Sequence, residues 1–196
     1  MIVLGLTGSI GMGKSTAAAI LRRMGVDTHD ADACVRKALA PGGAGFEEVA
    51  VTFPACWDKK HHVIRRDILG EIVFKDEEKR KRLEEILHPV VRQDQEAFLR
   101  RQKSLGRKTA ALDIPLLFET GAQARVDYTL LVSAPFHVQR ARVLARAGMD
   151  EDRFLAIINA QMPDGEKRCR ADFVVETGMG YAYTQRALKK ILKGIR

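Results

Sequence analysis

The stretch Gly8-Ser9-Ile10-Gly11-Met12-Gly13-Lys14-Ser15 follows the apolar run Ile2-Val3-Leu4-Gly5-Leu6 and precedes a segment in which Ala17, Ile20, Leu21 and Met24 recur at helical spacing. A buried strand, a glycine-rich turn and a helix in that order match G-x-x-x-x-G-K-[ST] in the context where the pattern carries a mechanism. The turn must wrap a polyphosphate closely enough for successive backbone N–H groups to point inward, and glycine at the tightest points leaves room for this. Lys14 supplies a point charge for the β- and γ-phosphates, Ser15 offers a hydroxyl to Mg²⁺, and the helix start adds its positive end.

The rest of the chain alternates in the same way. Val26 to Asp32 reads as a short second strand ending in acidic residues, and a helix follows through Leu39 until Pro41-Gly42-Gly43 stops it. Further strands are expected at Thr109 to Ile114, Tyr128 to Ser133 and Phe173 to Val175. Helical segments at Phe136 to Ala147, Glu151 to Gln161 and Tyr181 to Leu192 separate or follow them. Such alternation predicts an α/β fold with a mostly parallel sheet covered by helices on both faces. Between Pro41 and about Lys103 helical patterns and charge dominate, which marks an inserted helical region.

A chain of 196 residues suits one compact domain with an insertion. Aromatic residues make up 6% of it, too few to suggest a base-stacking surface, so the formal charge of +8 points as readily to phosphorylated small molecules as to nucleic acid. Steeply salt-dependent nucleic-acid binding would mark the rival class, a nucleic-acid-binding regulator. Cys34, Cys56 and Cys169 form neither a disulfide framework nor a C-x-x-C zinc spacing, which fits a reducing compartment. No apolar run reaches membrane-spanning length, and the first residues lead straight into a strand, so a cytoplasmic protein is expected.

Among proteins with such a loop, a GTPase would bring Asn-Lys-x-Asp, but Asn159 is the sole asparagine and Ala160-Gln161 follow it. Motors and helicases need more chain. A small kinase fits, since phosphoryl transfer needs ATP, Mg²⁺, a positioned acceptor and a cover that excludes water. Asp30 and Asp32 follow the second strand; Asp32 is the candidate general base, or a Mg²⁺ ligand through water, and one of the two is expected to cap the next helix. Asp113, at the end of an apolar strand, stands where a second magnesium-directed carboxylate belongs, although a structural role at the strand end fits equally. Gln139, Arg140, Arg142 and Arg146 lie on one helical segment, a candidate lid whose guanidinium groups suit phosphate oxygens.

At this point the sequence resembles the dephospho-CoA kinase family. The resemblance rests on Gly5-Leu6-Thr7-Gly8 through Gly13-Lys14-Ser15-Thr16, Asp30-Ala31-Asp32, Ile72-Val73-Phe74, Leu83-Glu84 with His88-Pro89, Asp113-Ile114-Pro115-Leu116-Leu117-Phe118-Glu119, Gln139-Arg140, Gln161 and Ala171-Asp172. It implies a single P-loop kinase domain, α/β, with a five-stranded parallel core over 1–40, 104–135 and 163–196, a helical substrate-binding insertion over 41–103, and a lid over 136–162. It implies ATP-dependent phosphorylation of the ribose 3′-hydroxyl of dephospho-CoA, the final step of CoA biosynthesis. Lys14, Asp32 and Arg140 would be catalytic. Gly8, Gly11, Met12, Gly13, Lys14, Ser15, Thr16 and Arg140 would bind ATP, and Asp32, Arg65, His88 and Glu119 the acceptor. Mg²⁺ would sit on Ser15, with Asp32 or Asp113 through water. The expected partner is the small molecule alone, with no nucleic acid and no membrane, and a monomer is expected, with a weak oligomer as the alternative. The chain departs from the family where Val63-Ile64-Arg65-Arg66 replaces the usual Leu-Asp-Arg, and where Glu176-Thr177 stands in place of an asparagine.

Overall fold

The computed structural model describes residues 1–195, which divide into two compact units. Of the described residues, the first comprises 1–29 and 101–195, and the second Asp30–Arg100.

In the first unit, β1 (Ile2–Thr7) has β5 (Thr109–Asp113) and β6 (Tyr128–Ser133) on either side, and β6 is followed outward by β7 (Phe173–Glu176). With β2 (Thr28–Asp30) beyond β5, the order is β2-β5-β1-β6-β7. The pairs β1·β5, β1·β6 and β6·β7 are parallel. In register, Leu6 stands opposite Asp113 and Ser133 opposite Glu176. Leu4 to Thr7 are all buried, as a central parallel strand requires, because both faces are covered. On one face α1 (Lys14–Arg23) and α9 (Tyr181–Gly194) bring Ala17, Ile20, Leu21, Leu188 and Leu192 against Leu4, Leu6, Leu130 and Val132. On the other face the absent side chain of Gly5 leaves its place to Leu117 and Val126, which a Cβ would meet at 3.1 Å.

Helix α1 ends at Met24 in a Schellman motif. Gly25, at φ +80°, donates to Arg22 O, and Val26 donates to Leu21 O, both at 3.0 Å.

The second unit holds α2 (Ala31–Ala38), α3 (Phe46–Thr52), α4 (Arg66–Lys75) and most of α5 (Glu77–Ser104) around Phe46, Val49, Phe53, Ile64, Leu69, Ile86 and Leu87. Two expectations need correction here. The second strand does not run to Asp32: it stops at Asp30, whose carboxylate accepts the Ala33 N–H at 2.8 Å and starts α2, so Asp32 lies in that helix's first turn. The region between Pro41 and Lys103 is also not wholly helical. A small antiparallel hairpin joins β3 (Trp57–Asp58) to β4 (Val63–Ile64), its turn held by the Asp58 carboxylate, which accepts the Lys60 and His61 N–H groups at 3.0 and 3.1 Å.

Three further helices complete the first unit. These are α6 (Phe136–Leu144), α7 (Glu151–Asn159) and α8 (Asp164–Arg170). Helix α6 stops three residues short of the expected Ala147, and α8 has no counterpart in the sequence reading, because Asp-Gly-Glu-Lys-Arg-Cys-Arg shows no apolar period. No helix among the described residues is long and apolar enough to cross a membrane.

Candidate active site

Open parallel sheets bind ligands beyond the carboxyl ends of their strands, where neighbouring connections diverge. The chain leaves β1 toward β2 on one side of the sheet and leaves β6 toward β7 on the other, so the crevice opens at the ends of β1 and β6. Residues 8–13 occupy that place. A Cβ on Gly8 would lie 2.6 Å from Val132 Cγ2 and 2.7 Å from its carbonyl oxygen, so only glycine lets the loop leave β1 against the end of β6. Gly11 and Gly13 adopt φ of +76° and +89°, a region that side chains disfavour.

Helix α1 begins without the usual aids. Its N-cap is Gly13, no side chain caps it, and no acidic residue stands in its first turn. By contrast, Asp30 caps α2 and Asp150 caps α7. The N–H donors and positive end of α1 are thereby left for an anion, at the point where Ser15 and Thr16 are exposed. Lys14 lies in the first turn, with Nζ 2.5 Å from Asp113 Oδ1, in a pair whose side chains are 17% and 8% exposed. Asp113 ends β5 beside β1, so the loop's cation and the strand-end carboxylate meet directly.

The loop backbone is braced by side chains, among them Gln139 and Arg142 of the expected lid helix and Gln161 of the family resemblance, which turn onto the loop itself. Thr177, just after β7, donates from Oγ1 to Met12 O at 2.7 Å. Arg142 on α6 donates from Nη1 to Thr177 Oγ1 at 2.9 Å and to Gly11 O at 3.3 Å, and from Nη2 to Thr177 O at 2.9 Å. Gln139 Nε2 donates to Ile10 O at 2.8 Å, while Gln161 Oε1 accepts the Ile10 N–H at 3.2 Å. Met12 turns its side chain into the core, where its sulfur accepts the Ala134 N–H, so what it can offer a phosphate is backbone.

Arg140 sits on the same helix as Arg142 but is half exposed. Its Nε lies 2.8 Å and its Nη2 2.5 Å from the two carboxylate oxygens of Glu151 on α7. That bidentate hydrogen bonding holds the Glu151 carboxyl below its ordinary range and the guanidinium above its own. Glu119 is engaged by Lys167 of α8 at 2.8 Å and accepts the Met162 N–H at 3.0 Å.

In the second unit Asp32 is exposed in the first turn of α2. Arg65 precedes α4 and forks onto Asp67 at 3.2 and 2.8 Å, contacts that hold the aspartate below its ordinary range. His88 is exposed on α5, directly before Pro89. A missed feature here is Cys34, whose thiol is pushed up to about 11, first by burial and then by Asp94.

A family model described as dephospho-CoA kinase matches residues 2–181. The chain belongs to the dephospho-CoA kinase family. A dephospho-CoA kinase from Mesorhizobium japonicum is 47% identical over 196 residues, covering 100% of this chain and 98% of that relative. Among solved structures, one from Thermus thermophilus superposes with a TM-score of 0.86 at 38% identity, covering 100% of this chain and 98% of that one. The dephospho-CoA kinase of Campylobacter jejuni gives a TM-score of 0.68 at 27% identity, covering 98% and 96%. Dephospho-CoA kinases are nucleotide-using phosphotransferases, and the phosphate-binding loop, five-stranded parallel sheet and flanking helices described above are the fold of P-loop kinases.

Proposed function

We propose that this chain transfers the γ-phosphoryl group of ATP to the ribose 3′-hydroxyl of dephospho-CoA, giving CoA and ADP. The observation that carries this reading is the uncapped start of α1 with Lys14 set against Asp113, in a chain that matches the family model over residues 2–181.

The acceptor oxygen attacks the γ-phosphorus, its bond forms as the bond to the β,γ-bridging oxygen breaks, and ADP leaves with that oxygen's electron pair. Asp32 takes the hydroxyl proton as general base. Loop N–H groups and Lys14 hold the β- and γ-phosphates, so that negative charge developing on the leaving oxygen meets fixed donors. Mg²⁺, when bound, neutralises charge on the β- and γ-oxygens. The hydroxyl of Ser15 and the carboxylate of Asp113 are hard oxygen donors of the kind this ion takes, and Asp32 offers a third through water. Arg140 exchanges Glu151 for the nucleotide as the 136–162 segment closes, while Arg142 stays on the loop carbonyls. Arg65, His88 and Glu119 contribute to acceptor binding, with residues 41–103 as its surface. The enzyme acts as a cytoplasmic monomer on this small molecule, away from nucleic acid and membranes.

The test is a coupled assay with purified protein, ATP, Mg²⁺ and dephospho-CoA. CoA and ADP are expected in equal amounts, and Lys14→Ala and Asp32→Asn nearly abolish both. A folded protein that releases ADP with shikimate or a nucleoside monophosphate, but not with dephospho-CoA, overturns the acceptor assignment.

A further inference from the structure

Helix α8 is polar along its length, and Lys167 is its one buried residue, with no exposed side-chain surface at all. Its ammonium group reaches Glu119 Oε1 at 2.8 Å and Ser9 Oγ, inside the phosphate-binding loop, at 3.2 Å. Taking an ammonium out of water costs several kcal/mol, and a buried ion pair recovers this only with good geometry and further hydrogen bonds. A methionine would fill the same space without that cost, so stability alone is a weak reason for a lysine here.

We propose that Lys167 and Glu119 are positioning residues that hold the phosphate-binding loop in its receptive shape through Ser9, and so set the affinity for the nucleotide. The inference rests on the kinase reading above. An oxygen that accepts a hydrogen bond from an ammonium group directs its own proton elsewhere, so the contact orients and polarises the Ser9 hydroxyl as a donor. Glu119 extends the arrangement by accepting the Met162 N–H at 3.0 Å. Met162 follows Gln161, whose Oε1 accepts the N–H of Ile10, the residue after Ser9. One carboxylate, its side chain 18% exposed, therefore fixes both the cation that touches Ser9 and the backbone that carries the Ile10 acceptor. Ser9 and Ile10 are held at the point where the loop leaves β1, ahead of the glycines that give it its curvature.

The experiment compares Lys167→Met, the double variant Glu119→Gln/Lys167→Met, and Ser9→Ala, by thermal unfolding and by calorimetric titration with Mg·ATP in the absence of acceptor. Lys167→Met strands the Glu119 carboxylate and lowers Tm. The double variant removes both charges and regains most of that Tm, yet its Kd for Mg·ATP stays about tenfold weaker than the parent's, a loss of about 1.4 kcal/mol. Ser9→Ala keeps the parent's Tm and weakens binding severalfold. A purely structural pair would restore affinity together with Tm, so a double variant that binds within twofold of the parent overturns the inference. If the double variant does not fold, Ser9→Ala decides alone, and parental affinity there overturns it. A parent that folds but binds no Mg·ATP sinks the kinase reading instead, and that outcome is visible before any variant is made.

Discussion

The two units use charge in opposite ways. Around the phosphate-binding loop of the first, ionic and polar side chains are drawn inward: Lys14 on Asp113, Lys167 on Glu119 and Ser9, and Arg142 on Thr177 and the Gly11 carbonyl. In the second, the ion pairs of Arg65 with Asp67, Lys81 with Glu77 and Arg82 with Glu85 are all half exposed or more, and the core is apolar, built on Phe46, Val49, Phe53 and Leu69. A unit that must hold a polyphosphate keeps donors and cations ready in a low-dielectric setting, where they are strong and need no rearrangement. The other unit leaves its charges solvated, where each contributes little to stability.

The sharpest break of this contrast is functional. On the role proposed for it above, a charge directed at the transferred group, Lys14→Ala should reduce kcat/KM by about three orders of magnitude and weaken Mg·ATP binding in calorimetry. On the general-base role proposed above, which acts on the acceptor proton, Asp32→Asn should cost about two to four orders of magnitude in kcat and leave the Mg·ATP Kd unchanged. An Asp32→Asn protein that loses nucleotide affinity instead would place that carboxylate on the metal.

Next in size comes the apolar base of the second unit. Phe46 is fully buried, and Phe46→Ala should destabilise by about 3–5 kcal/mol in urea unfolding. Arg142→Ala comes third: the loss of its contacts to Thr177 and Gly11 should raise KM for ATP about tenfold in steady-state kinetics, which is about 1.4 kcal/mol. Arg140→Ala should lower kcat and leave Tm within error, because its Glu151 partner is solvated.

Thiol chemistry separates the units more gently. Cys169 is exposed and Cys34 is buried with its pKa raised, so a maleimide at pH 8 should label Cys169 and spare Cys34 in the folded protein, as mass spectrometry would read. The sign for stability follows from the same shift. A raised thiol pKa means that the fold holds the proton more tightly, so its contribution is complete below the ordinary thiol value and is lost as pH rises from about 9 toward about 11. Cys34→Ser should flatten that alkaline decline in urea titrations. Smallest of all, Arg82→Ala should change stability by under about 0.5 kcal/mol, since its pair with Glu85 is open to solvent.

How much of this could be read beforehand follows from how local each requirement is. The phosphate loop was legible because backbone curvature demands glycine and phosphate demands a cation within a few residues of chain. The central strands were legible because burial on both faces forces continuous apolar runs such as Leu130-Leu131-Val132. The hairpin was not, since two-residue strands are too short to show a period of two. Lys167 was missed because a lone lysine within Asp-Gly-Glu-Lys-Arg-Cys-Arg looks like solvated surface. The available signal was at the other end: Glu119 closes Leu116-Leu117-Phe118, and a carboxylate at the end of so apolar a run calls for a partner. Arg142 and Thr177 are 35 residues apart, and nothing in the residues between them announces the meeting.

The order of β1 in the sheet has a consequence in time. Synthesis makes this strand well before its two partners, which begin only at Thr109 and Tyr128, so β1 must wait for about a hundred residues before it can pair. The unit Asp30–Arg100 is continuous in sequence and is complete before either partner exists. The strand that launches the phosphate loop is thus made long before its partners and is among the last to gain its hydrogen bonds, and for that interval its apolar edge is open to the wrong neighbours.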